Sequence, residues 1–201
     1  MKDWVGNKIS SYAMLGASTH SLTEREVNDY YATDPIAIDA LVGKYKLPHK
    51  IWEPACGEGH LAKQLKLHGY DVVASDLIDR GFGQVADFFD SELPEGCECI
   101  LTNPPYKYAD KFIVRAIDLL PMGGVVAMFL KTQFLEGVSR YNNIYMATPP
   151  KKVLQFSGRM VCAKNGDFNA MRKIGSAVAY AWFVWEKGWK GQTTIEWIEP
   201  F

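Results

Sequence analysis

From residue 34 onward, short apolar runs alternate with stretches whose apolar residues recur at helical spacing. Asp34 before Pro35 is an N-cap followed by proline at the first helical position, and Ile36, Ala37, Ala40 and Leu41 share one face of the helix it opens. Residues 51–55 predict a strand, followed by a glycine turn and a helix through Leu61, Leu65 and Leu67 that stops at Gly69. Strands are expected at 71–75, 84–86 and 98–102, and then a helix carrying Phe112, Ile113, Ala116, Ile117 and Leu120 that stops at Pro121. Residues 125–130 are apolar without interruption, the pattern of a strand covered on both faces in a parallel sheet. Residues 132–146 read as a helix, 151–156 as a strand and 157–176 as a loop. The ends at 177–185 and 193–198 read as strands around a turn near Lys187-Gly188. Strands alternating with helices and closed by such a pair predict an α/β, doubly wound, mostly parallel sheet with an antiparallel C-terminal strand pair.

Composition sets the limits. With 201 residues, 48% of them hydrophobic, the chain can bury one sizeable core, expected over 30–201, with 1–29 as an N-terminal arm. The 22 basic residues nearly balance the 23 acidic ones, so no global field draws in a polyanion. The local balance differs. Between Arg140 and Gly175 seven basic residues face the single acid Asp167, a net charge of +6. Segment 157–176 reads either as a solvated basic loop or as a phosphate-contacting one through Arg159, Lys164, Arg172 and Lys173. Four cysteines and four histidines, without metal-ligand spacing apart from Cys97-x-Cys99, predict no metal site. No apolar run reaches the ~18 residues of a membrane span, and no leader-like segment opens the chain. A reduced, cytoplasmic protein is expected.

Two motifs carry chemistry. The strand at 98–102 ends in Asn103-Pro104-Pro105-Tyr106. Proline leaves the sheet ladder and keeps the preceding residue extended, so Asn103 sits at the strand's end and Tyr106 emerges just past a rigid corner. One amide oxygen, one carbonyl (Pro104) and one aromatic ring then surround a point that suits a planar group bearing an NH2. Upstream, Glu53-Pro-Ala55-Cys56-Gly57-Glu-Gly59 is a strand entering a turn whose glycines accept positive φ and close ligand approach. Asp76 follows the next strand, where nucleotide folds hold a ribose. The third glycine of the dinucleotide fingerprint is absent.

In this order, the glycine motif and Asn-Pro-Pro-Tyr resemble those of the AdoMet-dependent amino-methyltransferases, in particular the small bacterial and phage DNA adenine-N6 methyltransferases. The resemblance implies a Rossmann-like methyltransferase fold on a seven-stranded sheet, with S-adenosyl-L-methionine as cofactor. It implies that Asn103, Pro104, Pro105 and Tyr106 form the catalytic corner, with Tyr106 stacking on the target ring. Cofactor contacts would come from Tyr31 and Thr33 at the methionine end, from Glu53 facing the cationic groups, and from Ala55, Cys56, Gly57 and Gly59. Asp76 and Leu77 would take the ribose end, Asp87 the adenine amine and Phe88 the adenine ring; Asn103 borders both sites. By its residues alone, Asp87-Phe88-Phe89 also reads as an acidic turn with core aromatics.

The same motif serves adenine N6 in DNA, adenine N6 in RNA and the amide of protein glutamine. The late basic segment favours nucleic acid, DNA first. A chain that keeps the fold without catalysis, as an AdoMet-binding interaction or anti-restriction protein, is the alternative of another class.

Overall fold

The computed structural model describes residues 31–163, 168–174 and 176–199. The expected N-terminal arm, 1–29, lies outside them. The elements run β1 (Ala32–Thr33), α1 (Ile36–Lys44), β2 (Lys50–Glu53), α2 (His60–Leu67), β3 (Asp71–Asp76), β4 (Gln84–Val85) and β5 (Cys99–Thr102). Then come α3 (Ala109–Leu119), β6 (Val125–Lys131), β7 (Lys152–Phe156), β8 (Cys162–Ala163), α4 (Phe168–Ile174), β9 (Tyr180–Glu186) and β10 (Thr194–Ile198).

The main sheet has the order β10-β7-β9-β6-β5-β2-β3-β4. It is mostly parallel, as expected, and holds eight strands where the resemblance implied seven. Its antiparallel part is at the C-terminal strands: β9 runs against both β6 and β7, while β10 lies parallel to β7 at the edge. The last two strands therefore do not form a hairpin, because β7 lies between them.

β6 shows why the sheet is doubly wound. Val125, Ala127 and Phe129 belong to one core with Ile38, Leu41 and Leu65 of α1 and α2. Val126, Met128 and Leu130 belong to a second core with Phe112, Ile113 and Ala116 of α3. Strand side chains alternate between faces, so one apolar run serves both layers. Each fully buried large side chain contributes roughly 1.5–3 kcal/mol.

Two expected stretches differ. Segment 132–146 is not one α-helix: a 3-10 turn (Thr132–Leu135) is followed by Val138–Arg140 and a π-helical turn (Tyr141–Tyr145). Gly137 between them has φ 122°, outside any right-handed helix. Segment 157–176 contains β8 and α4, and β8 pairs antiparallel with β1 through Ala32↔Ala163 and Thr33↔Cys162. The apolar residues that 157–176 does possess explain this order, since Met160, Val161 and Ala163 are buried. Among the described residues no helix is long and apolar enough to cross a membrane.

Candidate active site

β6, β5, β2 and β3 are adjacent and parallel, so their C-terminal ends share one edge. In that order the edge carries Lys131, Asn103 just past β5, Glu53 and Asp76. At a strand spacing of ~4.8 Å, three intervals spread these groups over roughly 14 Å. In open α/β sheets this edge is where ligands gather.

Asp76 ties the glycine turn to β3. Its Oδ2 accepts the Gly57 N–H at 2.8 Å and its Oδ1 the Ile78 N–H at 3.0 Å, while the Cys56 N–H donates to the Ser75 carbonyl at 2.9 Å. Each carboxylate oxygen keeps further accepting capacity. Gly59 has φ 78° and precedes α2 directly, and a Cβ there would run into the Phe82 ring, so only glycine fits.

Glu53 is 2% exposed, and its Oε2 accepts no hydrogen bond among the described residues. Burial pushes its carboxyl well above the ordinary range; a backbone hydrogen bond from Ala62 opposes this, and the Asp76 charge adds to it. Asp87 Oδ1 accepts the Phe89 N–H at 2.8 Å, and the Ser91 hydroxyl donates to the Asp87 carbonyl at 2.6 Å, a closed turn at the strand's end.

Phe88 packs as a core aromatic, one of the two readings its residues allow. It is 2% exposed, stacks on Phe112 with ring centroids 4.7 Å apart and meets Trp52 edge-on at 5.2 Å. The ring belongs to the α3-side core, where its apolar area is removed from water. Leu77, beside Asp76, is 63% exposed and keeps its apolar side chain available.

The corner after β5 is held from two sides. The Asn103 amide Nδ2 donates to Thr33 Oγ1 at 2.8 Å and to the Tyr31 carbonyl at 3.4 Å. Asn103 Oδ1 is buried and has no hydrogen-bond partner among the described residues. Pro104 is buried, and Tyr106 opens a 3-10 turn (Tyr106–Tyr108) closed by the Tyr108 N–H on the Pro105 carbonyl at 2.8 Å. Lys131 Nζ stands 4.4 Å from the Tyr106 ring centroid.

Of the four basic residues assigned to the substrate, Arg172 has another partner. Its Nε and Nη2 donate to Asp34 Oδ2 and Oδ1 at 2.7 and 2.8 Å, and Asp34 is 1% exposed. A buried carboxylate requires such compensation, so this guanidinium braces α4 against the start of α1. Asp34 also caps the helix, its Oδ1 accepting the Ile36 N–H at 3.2 Å. Arg159 is exposed, whereas Lys164 and the Lys173 side chain lie outside the described residues.

Sequence reasoning missed three residues near the corner: Lys131, Cys162 and Tyr180. Lys131 was the most findable, as the first charge after an apolar run that ends on the ligand edge. Desolvation pushes the Cys162 thiol up to about 11 against the pull of the Tyr180, Thr33 and Tyr106 side chains. It stays protonated near neutrality.

The edge fits AdoMet chemically. That cofactor carries sulfonium and ammonium charges, ribose hydroxyls and an adenine amine. The edge offers acceptors in Glu53, Asp76, Asp87 and Asn103 Oδ1, one of them a buried carboxyl without a partner on Oε2.

No protein-family profile matches the chain, and no curated protein matches its sequence. Solved structures do match in fold. A protein assigned to the class I S-adenosylmethionine-dependent methyltransferases, from Listeria monocytogenes, is 14% identical over 95% of this chain and 71% of its own, with a TM-score of 0.57. The methyltransferase subunit of a type I restriction-modification system from Streptococcus thermophilus is 15% identical over 87% of this chain, with a TM-score of 0.59; the match spans 48% of that subunit. A protein assigned as an RNA methyltransferase, from Pyrococcus horikoshii, is 13% identical over 89% of this chain and 97% of its own, at 0.56. The chain has the Rossmann-like fold of the class I AdoMet-dependent methyltransferases.

Proposed function

We propose that this protein is an AdoMet-dependent N-methyltransferase that acts on the exocyclic N6 amine of adenine in DNA. One observation carries the reading. Asn103 gives both of its amide contacts to Thr33 and Tyr31 and keeps a buried, unpartnered acceptor at the end of β5. A buried acceptor left unmatched is costly, and an incoming amine would satisfy it.

Glu53, Asp76, Leu77, Asp87 and the turn around Gly57 would hold AdoMet, which supplies an electrophilic methyl group on a sulfonium. An exocyclic amine is a weak nucleophile because its lone pair is delocalised into the ring. Asn103 Oδ1 and the Pro104 carbonyl would accept its hydrogens most strongly as the nitrogen turns tetrahedral and positive, which stabilises charge developing in the transition state. Tyr106 would stack on the ring, which must leave a duplex by base flipping. The structure of a restriction-modification methyltransferase subunit among the fold neighbours supports DNA as the first substrate to test.

The test is labelled-methyl transfer to duplex DNA, single-stranded DNA, RNA and total protein, with base analysis of the product. N6-methyladenine in DNA is the expected product. N6-methyladenine in RNA alone would move the substrate to RNA. Label only on protein would make it a glutamine methyltransferase, and AdoMet binding without transfer would make it a non-catalytic binder.

A further inference from the structure

β6 ends in a charge at the acceptor corner. Val125 to Leu130 are buried and apolar, and Lys131 follows, half-buried, with its ammonium over the Tyr106 ring. Among the described residues no carboxylate forms an ion pair with it. Its backbone pairs with Tyr180, and its charge acts on the Cys162 thiol, so the side chain lies where β1, β8 and the Asn103 corner meet. A half-buried ammonium resting on a π face alone is weakly held, and that face is a place for an acceptor ring to stack.

A ring entering there moves the ammonium from the Tyr106 centroid to the ring's edge, within the sweep of the four-carbon lysine stem. Lysine has three N–H donors and no acceptor, whereas Asn103 Oδ1 and the Pro104 carbonyl only accept. The corner thus presents acceptors and a donor side by side. That pattern complements a heterocycle whose NH2 neighbours an in-plane ring nitrogen, as the N6 amine of adenine neighbours N1 and N7.

We infer that Lys131 is a specificity-determining residue that donates a hydrogen bond to a ring nitrogen of the acceptor base. This rests on the amino-methyltransferase reading and adds to it what the site demands of the base beyond its amine.

The experiment measures single-turnover methyl transfer to oligonucleotides with adenine, 1-deazaadenine, 3-deazaadenine or 7-deazaadenine at the methylated position. The parent, Lys131→Met, Lys131→Gln and Lys131→Arg are compared, with AdoMet affinity as the control for folding. The parent is expected to lose about tenfold or more on 1-deazaadenine or on 7-deazaadenine, the scale of one lost charge-assisted hydrogen bond, with 3-deazaadenine as the control. A loss on 3-deazaadenine alone overturns the inference. Lys131→Met should transfer slowly to adenine and lose nothing further on the analogue that slows the parent, and Lys131→Arg should keep part of the discrimination. Equal analogue penalties in the parent and Lys131→Met overturn the inference and leave the methyltransferase reading standing. So does a parent indifferent to all three analogues, a result that needs no variant to fold. A parent that methylates no adenine in any nucleic acid overturns both.

Discussion

Asn103 and Thr33 are 70 residues apart in sequence, yet the Asn103 amide nitrogen donates to the Thr33 hydroxyl across 2.8 Å. The Tyr31 carbonyl, which only accepts, marks that end of the amide as nitrogen, and the Thr33 bond holds it in place. Without that bond the two ends could exchange by a rotation about the terminal side-chain bond, whose torsion is broad. Thr33 is in turn positioned by β1 pairing with β8 and by the Asp34–Arg172 ion pair next to it. The orientation of the acceptor therefore rests on three segments far apart in the chain.

Asn103→Ala should lower kcat by ~10²–10³-fold, the usual loss when one preorganised transition-state group is removed, with little change in AdoMet affinity. Thr33→Val, which keeps the shape and removes the hydroxyl, should lower kcat less, and Thr33→Ser should restore it. Single-turnover rates alongside calorimetric AdoMet affinities check the set. A Thr33→Val enzyme with the parent's rate would show that the amide needs no such anchor.

Asp76 accepts from Gly57 in the turn, and under the proposed function it would also meet the ribose. Asp76→Ala should weaken AdoMet binding by ~1–3 kcal/mol, the cost of a lost charged hydrogen bond with its partner left unsatisfied. Asp76→Asn, whose amide oxygen can still accept from Gly57, should lose less. Titration calorimetry of both variants is the check, and unchanged affinity in the alanine variant would remove Asp76 from the site.

Glu53 predicts a pH dependence with a definite sign. Its folded-state carboxyl holds its proton well above 4.5, the value from which burial raises it. Between those two values the folded state binds more protons than the unfolded chain, so Glu53 makes stability fall as pH rises, and its contribution is full only below about 4.5. Glu53→Gln should flatten that part of the stability–pH curve. A cationic ligand beside Glu53 would draw the carboxyl towards its charged form, so AdoMet binding should release a proton and tighten with pH in the parent but not in Glu53→Gln. Calorimetry in buffers of different ionisation enthalpy reads the proton directly.

Arg172→Ala strands Asp34, a carboxylate with 1% exposure, although the arginine side chain itself is 41% exposed. The expected loss of stability is about 1–3 kcal/mol, above an exposed pair and below a wholly buried one. Because its charge is already matched, the variant should leave the salt dependence of duplex-DNA binding unchanged, whereas Arg159→Ala should reduce the log–log slope by about 0.9 if Arg159 meets a phosphate. Denaturation curves and salt titrations decide between the two roles.

The readable parts were those that local stereochemistry sets. Proline after Asn103, glycine at 59, an acid at 76 and the unbroken apolar run of β6 each act over a few residues, and so strand ends, the turn and the ligand edge could be placed from the residues themselves. Local rules do not choose partners across the fold. Nothing near Arg172 announces Asp34, 138 positions away, and nothing near Thr33 announces Asn103; burial of a carboxylate and pairing of β1 with β8 made those choices. Phe88 reads equally well as a ligand clamp or as core, and its ring packs against Trp52 and Phe112, rings brought to it from other elements and removed with it from water. Gly137 interrupted a helical pattern that periodicity alone would have continued, through a backbone angle that the surrounding apolar spacing does not record. Likewise, β10 lies beside β7 and not beside β9, since which strand becomes a neighbour depends on where the whole sheet leaves an edge to be covered.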